Sequence, residues 1–148
     1  MTSSSGGIFG VIATYIINQG GIVAGVSLDF EKLVLRHICV DNIDDLEKLK
    51  KSKYFQSDCL DVFSEIKQRL NVGQYVLFTG TACQVVALKQ YLSGINTDKL
   101  YTVDVLCHGV TSRKVVHSYI EDLEKTYGDT AIEIQFRNKE KNGGGGSS

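Results

Sequence analysis

The residue types in this sequence that point most directly to chemistry are two cysteines, Cys83 and Cys107. Cys83 lies in the run Thr79, Gly80, Thr81, Ala82, Cys83, Gln84, and Cys107 in the run Cys107, His108, Gly109, Val110, Thr111, Ser112. Each run follows a short apolar stretch and precedes a helical pattern. In parallel α/β units, ligands gather outside the carboxyl ends of the strands. Two successive crossovers would therefore put both cysteines on one rim of a sheet. Neighbouring strands are about 4.8 Å apart, so the two sulfurs are expected within roughly 10 Å of each other. Cys83 also falls in the first turn of its helix, where free N–H groups and the helix dipole favour a thiolate. A thiolate is the form that binds iron or zinc. Three readings stay open from the residues alone. The pair can hold part of a 4Fe–4S cluster, which normally takes four thiolates. With His108 it can form a zinc site. Or both can be inert packing residues. Cys39, mid-strand, and Cys59, at a helix start, read as small buried hydrophobes lying away from that rim.

A second group of residues suits an anionic cofactor. Ser3, Ser4, Ser5, Gly6 and Gly7 combine hydroxyls with closely approachable backbone just before a helix, where a phosphate or pyrophosphate can be met by free N–H groups. The run matches neither a Walker nor a Rossmann fingerprint, and a serine helix cap explains it equally. It is expected to converge with Thr79, Gly80 and Thr81 on one phosphate-sized cleft, because both segments precede helices. Lys53, Tyr54 and Gln56 offer charge, stacking and an amide, or else form a solvated loop.

The elements that must position these residues follow from periodicity. Ile8, Val11, Ile12, Tyr15 and Ile16 recur at helical spacing and Gly20 with Gly21 stops the helix. Residues 22–28 and 33–40 are β-rich around a polar turn at 29–32, a hairpin pattern. Asn42 caps a short helix carrying Ile43, Leu46 and Leu49. Asp58 caps another with Val62, Phe63, Ile66 and Leu70, ended by Asn71 and Gly73. From there the chain alternates. Residues 75–78 form a strand, and Thr81 with Gln84 fits a capping box opening a helix through Val85, Leu88 and Leu92. Residues 100–106 form the next strand. Ser112 opens a helix bearing Val115, Val116, Tyr119, Ile120 and Leu123, ended by Gly128. Ile132, Ile134 and Phe136 mark a last strand. The fold class is thus α/β: a mixed, partly parallel sheet with flanking helices, in which a β-α-β-α-β second half follows an amino-terminal helix and hairpin. Residues 1–142 make one domain, and 143–148, GGGGSS, have the composition of a flexible linker.

Composition narrows the partners. A net charge of −1 over 148 residues gives no basic surface for nucleic acid or an anionic membrane. No apolar run approaches the ~20 residues that span a bilayer, and no signal peptide opens the chain, so a cytoplasmic protein is expected. In that compartment disulfides are not expected among the four cysteines. The oligomeric state is not encoded in any pattern of the sequence.

Five motifs in order carry a family resemblance: Thr2 to Gly7; Ser52, Lys53, Tyr54, Phe55, Gln56 and Ser57; Thr79 to Gln84; Asp104, Val105, Leu106, Cys107, His108, Gly109 and Val110; and Phe136, Arg137, Asn138 and Lys139. Together they resemble the beta subunits of coenzyme F-420 hydrogenases and dehydrogenases. The resemblance implies an FAD- and iron–sulfur-dependent electron-transfer subunit of an oxidoreductase, with coenzyme F-420 or another acceptor as substrate and a redox protein or small electron carrier as partner. Ser3, Ser4, Ser5, Gly6, Gly7, Ser52, Lys53, Tyr54, Gln56, Ser57, Thr79, Gly80 and Thr81 would surround FAD. Cys83 and Cys107 would ligate a 4Fe–4S cluster. Members carry further sequence on both sides, so this chain is expected to be an internal segment, inactive alone, of a parent oxidoreductase. A non-catalytic truncated scaffold is the alternative. Family motifs carry proline at the positions of Ala82 and Thr111, and this chain has no proline. That difference bears on loop stiffness and leaves the ligand groups in place.

Overall fold

The computed structural model describes residues 7–29, 34–50, 57–105 and 113–128. Within them, helix α1 (Gly7–Asn18) leads into the hairpin strands β1 (Ile22–Asp29) and β2 (Val34–Val40). A 3-10 turn (Asp45–Leu49) and a two-residue strand, β3 (Ser57–Asp58), precede α2 (Leu60–Asn71). Strand β4 (Val76–Thr81), α3 (Ala82–Tyr91), β5 (Leu100–Val105) and α4 (Arg113–Tyr127) complete the order. Among the described residues the strands form one sheet in the order β3-β2-β1-β4-β5.

The mixed, partly parallel α/β sheet expected from the sequence is what forms. β1 and β2 pair antiparallel, with Val23 opposite Val40 and Asp29 opposite Val34. β4 pairs parallel with β1 and with β5, in register from Val76 opposite Leu100 to Thr81 opposite Val105. Alternation along each strand sends side chains to two faces. On one face Ile22, Ala24, Val76 and Phe78 pack against Val62, Phe63, Ile66 and Leu70 of α2, Val85 and Leu88 of α3, and Leu92 just past its end. On the other, Val23, Val40 and Leu77 meet Ala13 and Ile16 of α1 and Leu46 and Leu49 of the 3-10 turn. The central strands β1 and β4 are thereby covered on both sides, while no residue of β5 is buried.

Glycine ends the first two helices at the stops expected from the sequence. Gly20 and Gly73 have φ of 73° and 77°, the left-handed conformation that lets the chain leave a helix and enter a strand. The faces of two helices differ from expectation. In α1, Ala13 and Ile16 are buried, while Ile8, Val11 and Tyr15 are exposed. The helix is apolar on nearly every side, so spacing alone could not choose the face that the sheet takes. In α4, Ile120 is buried, but Val115, Tyr119 and Leu123 lie on the surface. The strand expected at Ile132, Ile134 and Phe136, and the tail at 143–148, lie outside the described residues.

Candidate functional site

The stretch 79–84 is not a loop. β4 runs on through Thr79, Gly80 and Thr81, and α3 starts at the next residue. Such an abrupt change of direction needs a local substitute for the missing turn. Thr81 and Gln84 supply it as a capping box, with the Gln84 Oε1 accepting the Thr81 N–H at 3.0 Å. Gly80 makes room for it. A Cβ there would stand 2.9 Å from both Gln84 Oε1 and Phe78 Cε1.

The same glutamine ties a second element to this point. Its Nε2 donates to Ser57 Oγ at 3.0 Å and to Ser57 O at 3.3 Å. Ser57 belongs to β3, and α2 starts three residues later with Asp58 Oδ1 accepting the Leu60 N–H at 3.1 Å. The amino-terminal ends of α2 and α3 are thereby held side by side at the carboxyl edge of β4. Helix starts carry unpaired N–H groups and the positive end of the dipole, so this rim suits an anion or a thiolate.

Two sulfurs sit on it. Cys83 is exposed in the first turn of α3, and its Sγ shares a 3.0 Å hydrogen bond with Thr81 Oγ1. Cys59 is the N-cap residue of α2. The sequence reading sets it away from the rim, but the Gln84–Ser57 bonds bring it there. Burial, the Asp58 carboxylate and then the nearby Cys83 push its thiol pKa up. Cys39 does lie elsewhere, on the sheet face under Glu65 and Arg69 of α2. Burial first, and Glu65 second, push its thiol up to about 12.

Among the FAD contacts implied by the family motifs, the described ones divide by role. Ser57 and Thr81 are half-buried, the Ser57 hydroxyl bonded to Gln84 Nε2 and the Thr81 hydroxyl to Cys83 Sγ. The Thr79 hydroxyl is turned inward and donates to Ala24 O at 3.3 Å, tying β4 to β1. Gly80 is buried. Gly7 opens α1. Ser3, Ser4, Ser5, Gly6, Ser52, Lys53, Tyr54, Gln56, Cys107 and His108 lie outside the described residues, so neither the Cys83–Cys107 separation nor the amino-terminal cleft is defined. The last described residue of β5, Val105, pairs with Thr81. Among the described residues, no three His, Cys, Asp or Glu side chains gather as a metal site.

One member of the rim carries no motif. His37, from the middle of β2, is 4% exposed, with Nε2 3.0 Å from Thr79 O and Nδ1 3.4 Å from Ser57 Oγ. Its ring stacks on Phe78 at 5.1 Å with 13° between planes. The available signal was a polar residue on the buried parity of a strand, between Leu35 and Cys39.

The described residues form an α/β domain with paired helix starts, hydroxyls and an exposed thiol at the carboxyl edge of parallel strands, the edge where α/β sheets commonly take ligands. Residues 73–144, just under half of the chain, match the family model for the C terminus of the beta subunit of coenzyme F420 hydrogenase/dehydrogenase. The solved F420-reducing [NiFe] hydrogenase complex from Methanosarcina barkeri, in a xenon derivative, contains a similar chain. The TM-score is 0.61 at 24% identity, over 79% of this chain and 43% of that one, which establishes a shared fold. This chain thus spans less than half the length of that relative. No curated protein matches it.

Proposed function

We propose that this chain is the cofactor-holding domain of an electron-transfer subunit in an oxidoreductase. In this reading FAD lies along the rim formed by Ser57 and Thr81, with Ser3, Ser4, Ser5, Gly6, Gly7, Ser52, Lys53, Tyr54 and Gln56 completing its surroundings. Cys83 and Cys107 give thiolates to a 4Fe–4S cluster. The observation that carries the reading is the Gln84 link, which brings the starts of α2 and α3 together beside Cys83. The family match over residues 73–144 supports the redox class.

The cofactors supply the electron chemistry when bound. The chain's own groups do the holding. Ser57 and Thr81 present oxygens, and the two helix starts favour negative charge at the rim. The Cys83 thiol is accessible, and Thr81 Oγ1 fixes its direction. Thr79 and Gly80 act below the surface, keeping β4 close to β1 and leaving space for the Gln84 amide. The electron acceptor is coenzyme F-420 or another small carrier, and a redox protein is the partner. Among the described residues no helix is long and apolar enough to cross a membrane.

Titration of the chain with FAD, followed by flavin fluorescence quenching, tests the first half. Saturable binding weakened in Ser57→Ala and Thr81→Ala is expected. Absence of binding, or equal binding by both variants, overturns it. Anaerobic iron–sulfide reconstitution with iron analysis tests the second. Cys83→Ser should lower iron uptake, and unchanged iron content overturns the ligand role.

A further inference from the structure

The hydrogen-bond directions around His37 follow from one tautomer. Nε2 faces the Thr79 carbonyl, which can only accept, so Nε2 carries the ring proton. Burial lowers the His37 pKa, against the backbone contacts with Thr79 and Asp58 and the Asp58 charge, which favours the neutral ring; with the proton on Nε2, Nδ1 is left as an acceptor. In that tautomer the Ser57 hydroxyl, 3.4 Å from Nδ1, is the donor of the pair. The same oxygen accepts from Gln84 Nε2. A hydroxyl has one proton and two lone pairs. His37 takes the proton, Gln84 takes one lone pair, and one lone pair remains for a ligand.

We propose that His37 is a positioning residue that sets the hydrogen-bond polarity of Ser57, so that this point of the rim accepts from a ligand hydroxyl or N–H group rather than donating to a phosphate oxygen. The ligand half rests on the flavin reading above. There it places Ser57 against the sugar-alcohol chain or the ring N–H of the flavin, and leaves the phosphates to the free N–H groups of the helix starts. His37 never touches the ligand. It acts through Ser57, with its ring plane fixed by the stack on Phe78.

The positioning half is tested on the unaltered chain, labelled with 15N, by a long-range 1H–15N spectrum of the histidine rings. A neutral His37 with its proton on Nε2 is expected, as is an Nδ1 resonance that moves in Ser57→Ala. A proton on Nδ1, or an Nδ1 resonance indifferent to Ser57→Ala, overturns the proposal. No flavin is needed for that measurement.

The ligand half is tested by titrating the chain, Ser57→Ala, His37→Phe and the double variant with riboflavin and with FAD. Phenylalanine keeps an aromatic ring against Phe78 while removing both hydrogen bonds. Ser57→Ala should weaken both flavins by the same factor, about 2- to 10-fold for one neutral hydrogen bond. His37→Phe should weaken both by less, and should add nothing in the Ser57→Ala background. Loss of FAD affinity with riboflavin affinity intact would place a phosphate at Ser57 and overturn the assignment. If the unaltered chain binds neither flavin, the flavin reading and the ligand half fall together, and the spectrum alone decides the role of His37.

Discussion

Gln84 and Ser57, 27 residues apart, are joined by two hydrogen bonds from one side-chain amide, while the oxygen of that amide caps the helix in which Gln84 sits. One side chain thus closes the first turn of α3 and fixes the entry to α2. The oxygen's bond is local and belongs to the helix. The nitrogen's bonds are long-range and belong to the site.

Substitution separates these two jobs. Gln84→Glu keeps an acceptor for the Thr81 N–H and loses the donor to Ser57, whereas Gln84→Ala loses both. Urea denaturation should show Gln84→Ala less stable by about 1–2 kcal/mol and Gln84→Glu by less. Equal losses in the two variants would show that the cap contributes nothing measurable.

Gly80→Ala should also destabilise, by about 1–3 kcal/mol, because the new methyl meets the Gln84 amide and the Phe78 ring at 2.9 Å. Gly10→Ala should do the reverse. Gly10 lies inside α1 with nothing within 4 Å of its Cβ position, so alanine there should add about 0.5–1 kcal/mol. A thermal melt of each variant checks both signs.

The pH dependence of stability follows from His37. Its pKa is lowered from 6.5 in the folded chain, so between 6.5 and the lower folded value the unfolded chain holds more protons. The stabilisation is complete above pH 6.5 and is lost as pH falls toward the folded pKa. The urea midpoint should therefore drop from pH 7 to pH 5, with a slope from this group of at most about 1.4 kcal/mol per pH unit. His37→Phe should flatten the drop. An identical profile in the variant would remove His37 as its source.

Thiol alkylation should follow burial and charge. Cys83 is exposed, Cys59 is half-buried with its pKa raised, and Cys39 is pushed up to about 12. Iodoacetamide labelling read by peptide mass spectrometry should modify Cys83 first, Cys59 more slowly, and Cys39 only when denaturant opens the sheet. Early labelling of Cys39 would contradict the packing beneath α2.

The hairpin, the α2 stripe at Val62, Phe63, Ile66 and Leu70, and the parallel pairing of β4 with β5 were legible in the sequence, because each is a local period or a repeat of the same unit. The capping box at Thr81 was legible for the same reason. The buried face of α1 was not, since an apolar residue stands on nearly every side. The order of the sheet was not legible either. Nothing local says that β1 lies between β2 and β4, or that Ser57 and Asp58 pair with Leu35 and Arg36. His37 and the placement of Cys59 at the rim depend on those pairings. The thiol at Cys83 was read directly from its position after Thr81, but its neighbours were not.

The central place of β1 has a consequence for synthesis. Its second partner, β4, begins 54 residues after Ile22. The hairpin is complete only at Val40, so the interval with β1 paired on one side alone is the 36 residues from there to Val76, roughly 2–7 s at ~5–20 residues per second of translation. During it the hairpin has formed the pairing it can form alone, and the other edge of β1 carries open N–H and C=O groups along Ile22, Val23 and Ala24, which are wholly buried once folding is complete. An apolar strand edge is a template for pairing with another chain. The interval before β4 leaves the ribosome is therefore when the nascent protein most needs a chaperone, and slow codons placed between β2 and β4 would prolong it.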